Sequence, residues 1–107
     1  MTDLVTIAKL PDVKGAVLGD LGGGYLDAVG EQDGETIAAV TGFVATSLAQ
    51  AGEELGLGAL HRVSVAGAAA ACVIVVDDEL AITGRIAPAK ALAAVEKALD
   101  AALAEEA

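Results

Sequence analysis

The sequence is poor in aromatic residues, basic residues and cysteine, and each shortage argues against a class of function. Aromatic side chains make up 2% of the 107 residues, and there is no tryptophan, although such side chains usually anchor small-molecule pockets and stacked nucleobases. Six basic residues stand against sixteen acidic ones, which gives a net charge of −10 and repels a phosphate backbone. We therefore expect no nucleic-acid partner and no cofactor.

The single cysteine and the amino-terminal segment bear on the compartment. Cys72 is the only cysteine, so no disulfide can form within one chain, in agreement with a reducing compartment. Residues 1–12 lack the basic start and apolar middle of a signal peptide, and no apolar run is long enough to span a bilayer. We expect a cytoplasmic protein without membrane insertion. Because 55% of the residues are hydrophobic, we also expect residues 1–107 to fold, as one domain.

Apolar periodicity predicts the element order α-β-β-α-β-β-β-α. The predicted ranges are a short helix around 4–8 capped by Thr2 or Asp3, strands at 13–19 and 25–30, a long helix from Asp33 to Leu55, strands at 59–66, 71–76 and 80–83, and a last helix with Pro88 in its first turn. Short connections between neighbouring strands predict a mostly antiparallel sheet. The unbroken apolar run at 71–76 is typical of a strand covered on both faces. The expected fold class is α+β, with five strands and helices on both faces.

The long helix carries two apolar stripes. The bulky stripe contains Ile37, Val44, Leu48, Ala51 and Leu55, with Val40 or Thr41. The small-residue stripe contains Ala38, Gly42, Ala45, Ala49, Gly52 and Gly56. We expect the bulky stripe to pack on the sheet and the small stripe to meet a helix of a second copy, because small residues let two backbones approach closely. A charge at Ala45 would then separate the copies. The alternative is that an alanine-rich sequence places small residues there by chance.

The strand at 59–66 raises a related question about assembly. If this strand lies at a sheet edge, its unpaired N–H and C=O groups can pair with the same strand of a second copy. His61 and Arg62 fit such pairing poorly and could instead guard the edge. The predicted dimer interface combines the small-residue stripe from Ala38 to Gly52 with five strand residues, His61, Arg62, Val63, Ser64 and Val65.

Three groups of residues suggest chemistry, and each has a simpler interpretation. Residues 20–24 are rich in glycine but lack the lysine and the following helix of a phosphate-binding loop, so they predict a hairpin turn. His61 and Cys72 are too few for a zinc site, and Cys72 falls within the most apolar strand, where a thiol is unreactive. The acidic residues 77–79 lack a calcium-loop pattern and predict a solvated turn. We expect neither a metal site nor an enzyme.

Four segments, together with the element order and length, resemble the roadblock/dynein light chain family. They are residues 10–18 leading into the first strand, 24–26 in the hairpin, 55–58 before the third strand and 78–82 at the last turn. The sequence is most similar to the MglB-like prokaryotic members. The resemblance implies a homodimer in which the central helices pair and the third strands join two sheets. It also implies cytoplasmic signalling through a small Ras-like GTPase, as a regulator or scaffold, with a roadblock paralogue as a possible second subunit.

The family resemblance leaves the catalytic contribution and the partner open. MglB-like members stimulate GTP hydrolysis without supplying an arginine of their own, so Arg62 and Arg85 are not assigned as catalytic residues. One alternative is an adaptor in a polarity, motility or signalling complex whose binding does not depend on nucleotide. Another is a ligand-sensing domain with a profilin-like or PAS-like sheet, which two aromatic residues make a poor candidate.

Overall fold

The computed structural model describes residues 3–106 and confirms the predicted order of elements. The helices are α1 (Leu4–Ala8), α2 (Gly34–Glu54) and α3 (Leu92–Glu106), and the strands are β1 (Val13–Asp20), β2 (Tyr25–Val29), β3 (Arg62–Ala66), β4 (Ala71–Asp77) and β5 (Leu80–Ile86). Pro88 lies before the last helix rather than in its first turn, because a 3₁₀ turn at Ala89–Ala91 separates them. The third strand is shorter than predicted, and the fifth is longer.

The helix ends differ in how their backbone groups are satisfied. Asp3 caps α1 by accepting a hydrogen bond from the Thr6 N–H at 2.8 Å, and the hydrogen bonds from Thr6 hold the pKa of Asp3 below its usual value. The other predicted cap, Thr2, lies outside the described residues. Asp33 precedes α2, but its side chain makes no capping hydrogen bond. Gly56 closes α2 at a φ of 74°, a left-handed conformation that glycine adopts without steric cost.

The five strands form one antiparallel sheet in the order β2-β1-β5-β4-β3. This order confirms that the sheet is antiparallel, and it places β3 at an edge, which is the condition for strand pairing between copies. Helices cover both faces: Val73 and Val75 point into a core shared with α1 and α3, whereas Ile74 and Val76 point to the face that carries α2. β4 is therefore an interior strand with apolar side chains on both faces, as predicted, although β5 and not β4 is the middle strand of the sheet.

The face of α2 that packs on the sheet is the small-residue stripe, so the predicted assignment of the two stripes is wrong. Ala38 and Ala45 are 3% and 1% exposed, and Gly42 is buried with them. A Cβ built on Gly42 would come within 2.7 Å of the Gly23 backbone nitrogen in the β1–β2 turn. The glycines of the hairpin and the helix thus allow a close approach, and α2 lies chiefly over β1, with β2 and β5 on either side of it.

Candidate interaction surface

Close packing of α2 on its own sheet leaves its bulky stripe facing outward. Val40, Leu48 and Leu55 are 57%, 41% and 73% exposed, whereas the prediction placed them against the sheet. Ile37 and Val44 are half-buried. A contiguous row of large apolar side chains on a protein surface marks an interaction site more often than a solvated face.

Because α2 lies to one side of the sheet, the same face of β3 and β4 stays open beside it. The resulting groove, called here the α2–β3 trough, consists of two clefts of about 410 Å³ and about 520 Å³. The apolar residues that line it are Ile37, Val40, Val44, Leu48 and Leu55 from α2 and the following turn, and Val63, Val65, Cys72 and Ile74 from β3 and β4. The two clefts follow one another along α2, since Val44 and Leu48 are one helical turn apart.

Two polar pairs belong to the trough without making it polar. On its floor, the hydroxyls of Thr41 and Thr83 are 2.7 Å apart in a buried hydrogen bond. At one end, Arg85 donates two hydrogen bonds of 2.9 Å to the carboxylate oxygens of Glu31, and this contact raises the pKa of Arg85. Each of these groups therefore has a partner within the chain, and the surface offered to a second molecule is apolar.

Charge is missing from the whole middle of α2. No charged residue occurs between Glu35 and Glu53, in a sequence that has sixteen acidic residues. The outer surface of this segment includes Phe43, which is 74% exposed and is one of only two aromatic residues. A helix that is permanently solvated normally carries charged side chains on its outer face. The uncharged surface is consistent with burial of α2 by partners on more than one side.

The open edge of β3 presents backbone groups beside the trough. The His61 carbonyl accepts a hydrogen bond from the Val76 N–H at 2.9 Å, so the backbone of His61 points toward β4. Since successive residues of a strand alternate in direction, the N–H and C=O groups of Arg62, Ser64 and Ala66 point to the open edge. The side chains of Val63 and Val65 meanwhile line the trough. An added strand would therefore bring its own side chains over the same apolar groove.

Arg62 does not guard this edge with its side chain. Its guanidinium lies 2.7 Å from the Asp100 carboxylate of α3, on the opposite face of the sheet from the trough. His61 is exposed and lines both the trough and a neighbouring crevice. The two residues that fitted strand pairing poorly in the sequence therefore leave the edge open.

Cys72 is less buried than the sequence indicated. It is half-buried, because α2 does not extend over this part of β4, and it lines the trough. Burial raises the pKa of the Cys72 thiol, while a hydrogen bond with the Val65 backbone opposes that rise. A raised pKa disfavours the reactive thiolate. Across residues 3–106, no group of three or more His, Cys, Asp or Glu side chains is placed to hold a metal ion.

Solved structures with the same arrangement of helices and strands identify the fold. Myxococcus xanthus MglB aligns with a TM-score of 0.77 at 15% identity, over 90% of this chain and 81% of that one. A Roadblock/LC7 domain from Streptomyces avermitilis aligns with a TM-score of 0.71 at 15% identity, over 92% of each chain. The gliding protein MglB from Thermus thermophilus aligns with a TM-score of 0.70 at 19% identity, over 97% of this chain and 87% of that one.

The chain has the roadblock fold. The resemblance in sequence is confirmed at the level of fold by these structures. No family model matches the sequence, and no curated protein matches it either. Among the helices in the described part of the chain, none has the length and apolar character needed to cross a membrane.

On this roadblock fold, the predicted interface residues fall into two groups. Ala38, Gly42 and Ala45 pack inside their own chain and cannot contact a partner helix, so their assignment to the interface is wrong. Ala49 and Gly52 are half-buried, and the five strand residues lie at or beside the open edge. These last seven residues stay predicted contacts. The exposure of the bulky stripe of α2 was not predicted, although the glycines at 22–24 are a signal that a small helix face packs on the sheet.

Proposed function

We propose that this chain is one roadblock-type domain that forms a homodimer and, as a cytoplasmic signalling protein without catalytic activity, binds and regulates a small Ras-like GTPase. The observation that supports it best is the α2–β3 trough, an apolar groove with the Glu31–Arg85 ion pair at one end, which runs beside an open strand edge. Neither feature is expected to remain exposed to water in a working protein.

The dimer would bury both features at once. Antiparallel pairing of two β3 strands uses the outward N–H and C=O groups of Arg62, Ser64 and Ala66. The most hydrogen bonds form when Ser64 lies opposite Ser64 of the second copy, because Arg62 then faces Ala66 on each side. In this register, the Val63 and Val65 side chains of both copies bring the two troughs together, and the bulky stripe of α2 covers them.

The GTPase would bind where the dimer leaves α2 uncovered. Phe43 provides exposed apolar surface on the outer side of the helix, away from the trough, with no charge nearby on the same helix. The acidic residues that flank this segment, Glu35, Glu53 and Glu54, favour a partner whose contact surface is apolar at its centre and basic at its rim. The link to a GTPase comes from the resemblance to MglB-like proteins. A roadblock paralogue could take the place of one subunit if it presents the same edge.

Affinity capture from lysate of the native cell tests this function. The tagged chain is incubated in parallel with GDP and with a non-hydrolysable GTP analogue. Recovery of a small GTPase mainly with the analogue supports the proposal, and the purified pair is then assayed for stimulated hydrolysis. Equal recovery of partners in both conditions, with no GTPase among them, favours the nucleotide-independent adaptor. Light scattering on the purified chain measures the dimer separately, and a monomeric mass would overturn that part.

A further inference from the structure

The sheet has a second open edge, at β2, and this edge is bordered by apolar side chains. Tyr25, Leu26 and Val29 are 43%, 51% and 40% exposed. An edge strand with exposed apolar neighbours is a template for adding another strand. A chain that also pairs through β3 would then have two edges able to bind another copy. Two such edges lead to open-ended filaments rather than closed dimers.

Backbone direction shows which groups of β2 are open to a partner. The Leu21 N–H donates to the Glu79 carbonyl at 2.9 Å, so the backbone of Leu21 points toward β5. Alternation along β1 gives the same direction to Val17. Because Val17 lies opposite Ala28, the N–H and C=O of Ala28 point away from β1, to the open edge.

The Ala28 N–H is already occupied by its neighbour. It donates a hydrogen bond of 2.8 Å to the Asp27 carboxylate oxygen Oδ1. We propose that Asp27 guards the β2 edge: its carboxylate occupies the outward-pointing Ala28 N–H group and so prevents a strand of a second copy from pairing there. The guard also places a negative charge where two antiparallel β2 strands would meet, which adds repulsion between copies.

The guard makes the two edges unequal. At β3, Arg62 directs its charged group to Asp100 of α3, and the edge is left free. At β2, Asp27 directs its charged group to the edge itself. If two copies pair through β3, the outer edges of the joined sheet are the two β2 strands. Asp27 then prevents further copies from adding at these edges. This inference does not depend on the proposed GTPase partner, and it applies to a monomer or a dimer alike.

The variant Asp27→Ala tests the guard. Its mass is measured by size exclusion with light scattering over a series of protein concentrations, beside the wild type. We expect a mass that rises with concentration to at least about twice the wild-type value, as chains associate through β2. The matched control is Asp33→Ala, which removes the same charge from an exposed carboxylate that makes no capping hydrogen bond. This control should keep the wild-type mass. An unchanged mass for Asp27→Ala at every concentration would overturn the proposal.

Two further variants separate the hydrogen bond from other causes. Asp27→Asn keeps an acceptor oxygen without the charge and should keep the wild-type mass; association equal to that of Asp27→Ala would contradict the hydrogen-bond guard. In the double variant Asp27→Ala/Ala28→Pro, the edge N–H is removed at a position where β1 does not use it. This variant should return to the wild-type mass. Continued association would show that another surface is responsible. Circular dichroism and thermal unfolding confirm that each variant is folded before its mass is interpreted.

Discussion

Gly42 of α2 lies against Gly23 of the β1–β2 turn so closely that a Cβ on Gly42 would be 2.8 Å from the Gly23 Cα. Because neither residue has a side chain, α2 can approach the hairpin backbone closely at this point. The small-residue stripe of the helix packs on the sheet and the hairpin, and the bulky stripe faces the β3 side instead of the core. The α2–β3 trough is the direct result, so a packing detail of the fold produces the candidate interaction surface.

Replacement of Gly42 by alanine is expected to destabilise the fold. The added methyl group would overlap the Gly23 backbone, and such overpacking costs about 1–3 kcal/mol, against a gain of up to about 1 kcal/mol in helix propensity. The matched control is Gly52→Ala, whose Cβ would find no atom nearer than 4.0 Å. That variant should gain stability. Urea unfolding measures both, and a Gly42→Ala protein more stable than the wild type would contradict the described packing.

A charge in the trough is expected to separate the copies without unfolding them. Val65→Glu places a carboxylate on β3 where two troughs would meet, and burial of an unpaired charge there is unfavourable. Light scattering should give half the wild-type mass, with an unchanged circular dichroism spectrum. Val5→Glu is the control, because Val5 of α1 is also 49% exposed but lies on the other face of the sheet. Equal masses for the two variants would exclude the trough as the interface.

A charge at Ala45 is expected to act on the fold and not only on the dimer. Ala45 is 1% exposed and packs against Ile74 and Val76. Ala45→Glu must therefore bury a charge inside its own chain or expel the helix from the sheet, at a cost of several kcal/mol. Thermal unfolding should show a large loss of stability or no cooperative transition. A stable, folded and monomeric variant would instead restore the original assignment of Ala45 to a dimer interface.

The hydroxyl pair on the trough floor should show strong coupling. Thr41→Val and Thr83→Val each leave one hydroxyl buried without its partner, and each is expected to cost about 1–3 kcal/mol. The double variant removes both hydroxyls and keeps the shape, so its cost should be smaller than the sum of the two. Unfolding free energies for the three variants complete a double-mutant cycle. Additive costs would mean that the 2.7 Å contact contributes no net coupling.

The Cys72 thiol should react slowly in the folded protein. Because burial raises its pKa, folding favours the neutral thiol, and less thiolate is present at any given pH than in the unfolded chain. Alkylation by iodoacetamide is expected to lag behind that of the chain unfolded in urea, and its pH profile should be displaced to higher pH. The stability supplied by this group is complete below the unfolded pKa and declines as pH rises through the folded pKa. Coincident profiles for the folded and unfolded protein would contradict the assignment.

The order of elements could be predicted from the sequence because each element has a strong local pattern. The apolar run at 71–76, the glycine turn at 22–24 and the long helix before Gly56 are all where the periodicity placed them. The register of the strands and the face that each helix buries could not be predicted in the same way, since they depend on contacts between distant segments. Both stripes of α2 are apolar, and neither pattern states which one packs on the sheet.

The sequence therefore predicted an apolar surface formed by α2 and β3, but only some of the residues that form it. The edge position of β3 entered only as a condition for pairing between copies, and the structure meets that condition. The small-residue stripe of α2 was predicted to contact a partner, whereas the exposed stripe is the bulky one. The prediction failed because a small helix face suits a partner helix and a glycine-rich hairpin equally well. Asp27 could not have been singled out, since its role depends on the direction in which the Ala28 N–H points, which sequence alone does not determine.

Arg62 connects the open edge to the far side of the sheet. Its backbone N–H and C=O point out of the edge of β3, while its guanidinium holds Asp100 of α3 at 2.7 Å. One residue therefore belongs to the open edge through its backbone and to the α3 face of the sheet through its side chain.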